Sequence, residues 1–296
     1  TGQETRQREN EPLKAQNFRL TDEHLGEGSA KTKFGYNIAA IQTLKHIEAA
    51  GRQARPDEQE ILSRYVGWGG IPQAFDEENT QWSEEYRQLK ELLTEKEYDA
   101  ARSSTLNAHY TSPTVIRAMY DAIEKMGFRT GNVLEPSCGV GNFFGMLPDD
   151  MSGSRLYGVE LDSITGRIAR QLYPDARITI SGFEKTQRRD FFDLAIGNVP
   201  FGGYKVSDKQ FDKYNFLIHD YFFAKTLEQV RPGGVIAYIT SKGTMDKASP
   251  DVRRYIAQKA ELLGAIRLPN NAFKANAGTE VTSDILFLQK REHPID

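Results

Sequence analysis

From residue 131 onward, short apolar runs alternate with segments of helical period, and this alternation leaves few folds open to the chain. The runs are Asn132-Val133-Leu134, Leu156 to Asp162, Ile178-Thr179-Ile180, Asp193 to Ile196, Val235 to Ile239 and Asp284 to Leu288. Between them, Ser163–Leu172, Asn215–Val230 and Val252–Ala260 carry apolar residues at helical spacing. Alternating strands and helices build an α/β sheet covered by helices on both faces. Ligands of such sheets bind beyond the carboxyl ends of the strands, so the residues that follow each run are the candidate site.

The residues before 105 follow another pattern. Ile38, Ile41, Leu44 and Ile47 recur at helical spacing from Lys33 to Ala50, and Pro56 opens a second helix. A third stretch, Trp82 to Ala101, is expected as one charged helix with Leu89, Leu92 and Leu93 as its apolar stripe. The expected organisation is a flexible polar arm over 1–17, a helical region over 18–104 and the strand-helix domain over 105–292. Gly67-Trp68-Gly69-Gly70 lies inside the helical region. Its glycines imply a tight backbone or a close approach, and Trp68 is read as a plug at the seam with the next domain.

Charged residues make up 27% and hydrophobic residues 39% of the 296, which suits a soluble globular protein, and no apolar run reaches membrane-spanning length. The single cysteine, Cys138, excludes an internal disulfide and fits a reducing, cytoplasmic setting. The histidines and Cys138 show no metal-ligand spacing, so no metal is expected. A net charge of −3 requires any nucleic-acid contact to come from a local basic face or another module. Thr1 at the start and a strand-like run near the end read as a piece cut from a longer polypeptide.

Four strand exits carry chemistry. The run ending at Ile196 leads into Gly197-Asn198-Val199-Pro200-Phe201-Gly202-Gly203. An exocyclic amine on an aromatic base is a poor nucleophile because its lone pair is delocalised into the ring. The Asn198 amide oxygen and a backbone carbonyl of Val199 or Pro200 can accept both amine hydrogens and free that lone pair. Phe201 can stack on the base. The first strand leads into Glu135-Pro136-Ser137-Cys138-Gly139-Val140-Gly141-Asn142-Phe143, glycines that let a ligand approach the backbone, with an acid suited to an ammonium group. Glu160, with Asp162 as fallback, is an acid suited to ribose hydroxyls. Phe183 can pack on a purine, and Thr111 or Ser112 can cap the helix that Pro113 opens.

Taken in order, these motifs resemble the adenine-specific DNA methyltransferases that modify the exocyclic N6 amine. His109-Tyr110-Thr111-Ser112-Pro113 matches the family's N-terminal cofactor motif, Glu135 to Phe143 its glycine motif, and Glu160 its ribose acid. Phe183 matches its purine-packing residue, and Asn198-Val199-Pro200-Phe201 its catalytic tetrapeptide. The tail from Leu268 to Phe287 is similar to type I modification subunits, and the whole chain to the methylase region of large mobile-element proteins that also carry a helicase. The resemblance implies a Rossmann-like class I sheet, S-adenosylmethionine as cofactor and DNA as substrate, with a helicase module or recognition domain in the full-length protein. It assigns Tyr110, Thr111, Glu135, Pro136, Ser137, Gly139, Gly141, Asn142, Phe143, Glu160, Leu161, Phe183 and Asn198 to the cofactor.

Two departures accompany it. Valine at 199 replaces the family's first proline, which keeps the carbonyl but loosens the backbone that aims it. No recognition domain follows the tetrapeptide. Lys205, Lys242 and Lys274, with Lys209, Lys213, Lys247, Arg253 and Arg254, are candidate phosphate contacts or ordinary solvated charge. Methylation of a glutamine amide in a protein and a non-catalytic cofactor- or DNA-binding module are the competing readings. A dinucleotide oxidoreductase is more remote, because the full G-x-G-x-x-G is missing.

Overall fold

The computed structural model describes residues 15–105, 110–270 and 282–296. Seven strands form one sheet: β1 (Asn132–Glu135), β2 (Arg155–Glu160), β3 (Arg177–Ile180), β4 (Phe192–Asn198), β5 (Val230–Ser241), β6 (Ala260–Arg267) and β7 (Ser283–Lys290). Their order is β3-β2-β1-β4-β5-β7-β6. Strands β1 to β5 are parallel, and β7 pairs antiparallel with both β5 and β6. Chain direction across the sheet reverses between β1 and β4, which opens a crevice at their carboxyl ends. Glu135 ends β1 and Asn198 ends β4.

Strand periodicity sorts the apolar residues into two cores. Val133, Leu194, Ile196, Ala237, Ile239, Ile285 and Phe287 face one side, where they join buried residues of the N-terminal helices. Leu134, Ala195, Ile236, Tyr238, Leu286 and Leu288 face the other. There they meet α8 (Ile218–Gln229) and α10 (Asp251–Lys259). The expected α/β sheet with helices on both faces is therefore present, preceded by helices.

Those helices are α1 (Ala30–Ala49), α2 (Pro56–Ser63), α3 (Ser83–Leu92) and α4 (Glu95–Ser104). The single helix expected from Trp82 to Ala101 is two. Leu93 is extended, and Thr94 starts the second helix through a capping box with Glu97. Two local hydrogen bonds at that box outweigh continued helix propensity. After α5 (Pro113–Lys125) and the short helical turn α6 (Asn142–Gly145), α7 (Ser163–Leu172) runs as expected. Helix α8 begins three residues later than expected, because Asn215 adopts a left-handed conformation (φ 56°) that closes the preceding turn. The short helix α9 (Gly243–Asp246) follows β5. Strand β5 begins at Val230, ahead of the expected Val235. The Pro-Gly-Gly segment lies within the strand, and the pairing register shifts opposite it, between Phe192 and Leu194. Within the segment read as an arm, Asn17 Oδ1 accepts from Asp175 N–H at 3.0 Å.

Candidate active site

The carboxyl ends of β1, β2 and β4, with the loop after β3, line one cleft of about 750 Å³. Glu135 lines it, only 2% exposed, and its Oε2 has no hydrogen-bond partner among the described residues. Burial, and then the neighbouring Glu160, push its carboxyl well above the usual range. A Cβ at Gly197 would lie 3.1 Å from Glu135 Cγ, so glycine next to Asn198 leaves room for that side chain. Pro136, Ser137, Gly139, Asn142 and Phe143 continue along the same wall. Gly141 does not line the cleft. It has φ 92°, and a Cβ there would lie 2.5 Å from the Tyr173 ring, so this glycine shapes the loop. Tyr120 Oη holds the loop from behind, donating to the Phe143 carbonyl at 2.6 Å.

Glu160 is partly buried at the end of β2. Its carboxylate accepts the Gly139 and Asp162 N–H groups, each at 2.8 Å, which fixes the acid against the glycine loop. Desolvation nevertheless raises its pKa to about 7. Asp162, the fallback, spends its carboxylate on capping α7 through Thr165. Leu161 is 76% exposed beside Glu160 and, like Phe183, lines the cleft. The Phe183 ring packs on Phe222, 4.9 Å between centroids.

Asn198 and Thr111, 87 residues apart in sequence, meet across the cleft. The Asn198 Nδ2 group donates to Thr111 Oγ1 at 3.1 Å, while Asn198 Oδ1 is buried with no hydrogen-bond partner among the described residues. Ser112, not Thr111, caps α5, and this leaves the Thr111 hydroxyl free for the amide. Tyr110 also lines the cleft and is 9% exposed. The loosening expected from valine at 199 is countered by a bond that proline cannot make. The Val199 N–H donates to the Ile239 carbonyl at 3.1 Å and extends the β4–β5 pairing by one residue. Val199 and Pro200 line the cleft, whereas Phe201 is 7% exposed and does not.

Of the three lysines proposed for phosphate, Lys205 lines the cleft and bonds Asn215. Lys242 is exposed at the start of α9, outside the lining, and Lys274 falls outside the described residues. Some lining residues escape the motif reading. Tyr65, Val66 and Gly67 come from the glycine-dense loop, Ala100, Ser103 and Ser104 from α4, and Tyr204 from the loop after β4. Trp68 is 1% exposed in the core, as a plug would be. The glycines on either side of it, Gly67, Gly69 and Gly70, were the signal for the close approach.

Comparison with known proteins places these features in context. A family model described as N-6 DNA Methylase matches residues 91–295. Defense against restriction protein B of Escherichia phage P1 is 30% identical over 267 residues, 88% of this chain and 10% of that protein. Type II methyltransferase M.CvrRI of Paramecium bursaria Chlorella virus XZ-6E is 35% identical over 79 residues, 26% of this chain and 21% of its own length. The chain thus spans 10% and 21% of the lengths of these two relatives. Among solved structures, a protein of Listeria monocytogenes described as a class I S-adenosylmethionine-dependent methyltransferase superposes with a TM-score of 0.52. It is 17% identical, with 90% of each chain covered. A protein of Vibrio vulnificus YJ016, described as a modification subunit of a type I restriction enzyme, also gives 0.52. It is 21% identical over 72% of this chain and 51% of its own. These likenesses establish the fold as that of class I S-adenosylmethionine-dependent methyltransferases.

Proposed function

Because the chain belongs to the N-6 DNA methylase family, we propose that it transfers a methyl group from S-adenosylmethionine to the N6 amine of adenine in DNA. We place it within a longer protein, since it matches only 10% of the phage P1 relative. The observation that carries the activity is the Asn198 amide. Its NH2 end is held by Thr111, and its oxygen, at the end of β4, is buried and unpartnered among the described residues. An amide fixed in this way is an acceptor awaiting a donor, and an exocyclic amine presents two.

The cleft suits the cofactor. S-adenosylmethionine, when bound, supplies an electrophilic methyl group on a sulfonium. Glu135, buried and unpartnered, would hold the α-ammonium group, whose charge offsets the carboxylate's desolvation. Tyr110, Thr111 and the backbone of Ser137 and Gly139, which line the same cleft, would surround that end. Glu160 would take the ribose hydroxyls, with Leu161 and Phe183 against the purine. The adenine leaves its duplex to reach Asn198. There the amide oxygen and the Val199 or Pro200 carbonyl accept the amine hydrogens and concentrate electron density on nitrogen. Lys205 and Lys242 would contact phosphates, and a helicase or recognition module elsewhere in the protein would deliver the strand.

The test uses tritiated cofactor with DNA from cells lacking N6-methyladenine. Label is expected in adenine of the DNA. Asn198→Ala is expected to lower transfer by about 100-fold or more, the scale of losing one transition-state hydrogen-bonding group, with cofactor affinity by calorimetry nearly unchanged. Label in protein, or loss of cofactor binding in that variant, would overturn the assignment.

A further inference from the structure

We propose that the loop after β4 forms a second pocket, adjoining the catalytic cleft, for a nucleobase next to the target adenine. The base it favours carries two adjacent hydrogen-bond acceptors. The inference rests on the adenine-methylation reading and adds a source of sequence context to it. Residues from 205 to 216, with Tyr221 of α8, line a cavity of about 310 Å³, within the size range of small-molecule sites. Lys205 and Val206 line both this cavity and the cleft, so the two are neighbours. A strand that places one nucleotide in the cleft carries the next only a few ångströms away.

Three buried rings, Phe211, Phe216 and Tyr221, belong to the lining and give a flat base apolar surface to pack on. The loop is held in place by Asp208, which accepts from Tyr221 Oη at 2.7 Å and from Lys225 Nζ at 2.9 Å. Exposed Lys205 and Asn215 line the cavity as well. The Lys205 ammonium donates to Asn215 Oδ1. An ammonium can only donate, so this bond fixes which end of the amide is oxygen. The Asn215 NH2 group is left without a hydrogen bond among the described residues. Asp212, the acid in the lining, already accepts the Asp208 N–H at 2.8 Å and the Ser207 hydroxyl at 3.3 Å. What remains for a ligand is a pair of donors, the amide NH2 and the ammonium. Guanine answers with O6 and N7, and unpaired cytosine with O2 and N3. Adenine sets a donor beside N7, and thymine has a donor between its two carbonyls.

The experiment gives the whole chain S-adenosylmethionine and random-sequence DNA free of N6-methyladenine. Sequencing that detects the mark then reads the bases around every methylated adenine. Asn215 has φ 56°, a conformation open to glycine and aspartate, so Asn215→Gly and Asn215→Asp remove the donor without straining the turn. The parent is expected to favour guanine or cytosine at one position adjoining the methylated adenine by about ten-fold, the scale of a bidentate base contact. Both variants are expected to bring that position near parity, with the other positions and the cofactor affinity by calorimetry unchanged. A parent without that preference, or variants that keep it, overturns the inference and leaves the methylation reading standing. A change spread over all positions, or weaker cofactor binding, makes Asn215 structural and also overturns it. A parent that marks no adenine is a different result, which defeats the activity itself and this inference with it.

Discussion

At Asn198 a neutral amide becomes a directed group because something else occupies its NH2 end. Thr111 does so from the residue before a helix cap, and its hydroxyl is available because Ser112 does the capping. Replacing Thr111 by valine keeps the shape and removes the acceptor, which frees the amide to turn and buries an unmatched NH2. Thr111→Val is expected to lower kcat about ten-fold, about 1.4 kcal/mol of transition-state stabilisation. Thr111→Ser should retain most of the rate in the same transfer assay. Glu160 gives a second prediction. Its pKa of about 7 means that the unliganded protein holds a proton there which the unfolded chain, near 4.5, releases. Stability therefore falls as pH rises from about 4.5 to 7. Ribose hydroxyls at Glu160, as proposed above, would favour the ionised acid, so cofactor binding is expected to release that proton. Calorimetry from pH 5.5 to 8 should show affinity rising with pH and levelling above about 7, and Glu160→Gln should flatten the rise. Glu135, Glu160, Phe183 and Asn198 were all legible as residues at strand exits. That Phe201 is buried to 7% exposure was not, because sequence spacing carries no information on how deeply a loop ring sits.

Elements dock here through polar clasps as much as through apolar stripes. Arg167 on α7 donates to Glu48 on α1 (2.6 and 2.7 Å) and to Glu97 on α4 (2.9 Å). Glu97 also receives Lys45 at 3.0 Å. Burial pushes the Glu97 carboxyl up, yet the Thr94 N–H, Arg167 and Lys45 together bring it down to about 2. The same Glu97 closes the capping box, so one residue both starts α4 and fastens it. Asn37 on α1 clasps the glycine-dense loop, donating to the Gly67 carbonyl at 2.6 Å and accepting the Val66 N–H at 2.9 Å. That loop forms part of the cleft wall with Tyr65. Asn37→Ala would leave two backbone groups to find new partners, at about 1–3 kcal/mol. Its expected result is a cofactor affinity about ten-fold weaker by calorimetry, with chemical denaturation reporting the smaller stability. Affinity equal to the parent's would separate the loop from the cofactor site. Helical period located α1 and α2 in sequence, but it could not place this loop, since an asparagine on an apolar face shows nothing of what it clasps.

Across the whole molecule, the N-terminal helices and the sheet share one apolar interior. Ile41, Leu44 and Trp68 belong to the same buried cluster as Val133, Leu194 and Ile239. The change of pattern near residue 105 was readable in the sequence, whereas the shared core was not. Amphipathic period marks which face of a helix is apolar and is silent on which element covers it. An interior continuous across that change of pattern couples the two regions energetically, because separating them exposes both apolar faces together. The chain is therefore expected to unfold in a single transition, with far-ultraviolet dichroism and tryptophan fluorescence coinciding. Trp68 and Trp82 both lie in the helical region, so fluorescence reports that part while dichroism reports the whole. S-adenosylmethionine at 100 times its dissociation constant should stabilise the folded state by about 2.7 kcal/mol. Both signals should shift together, since Tyr65 and Val66 line the same cleft as Glu135. If fluorescence melted first and ignored the cofactor, the helices would be a separate unit resting on an independent sheet.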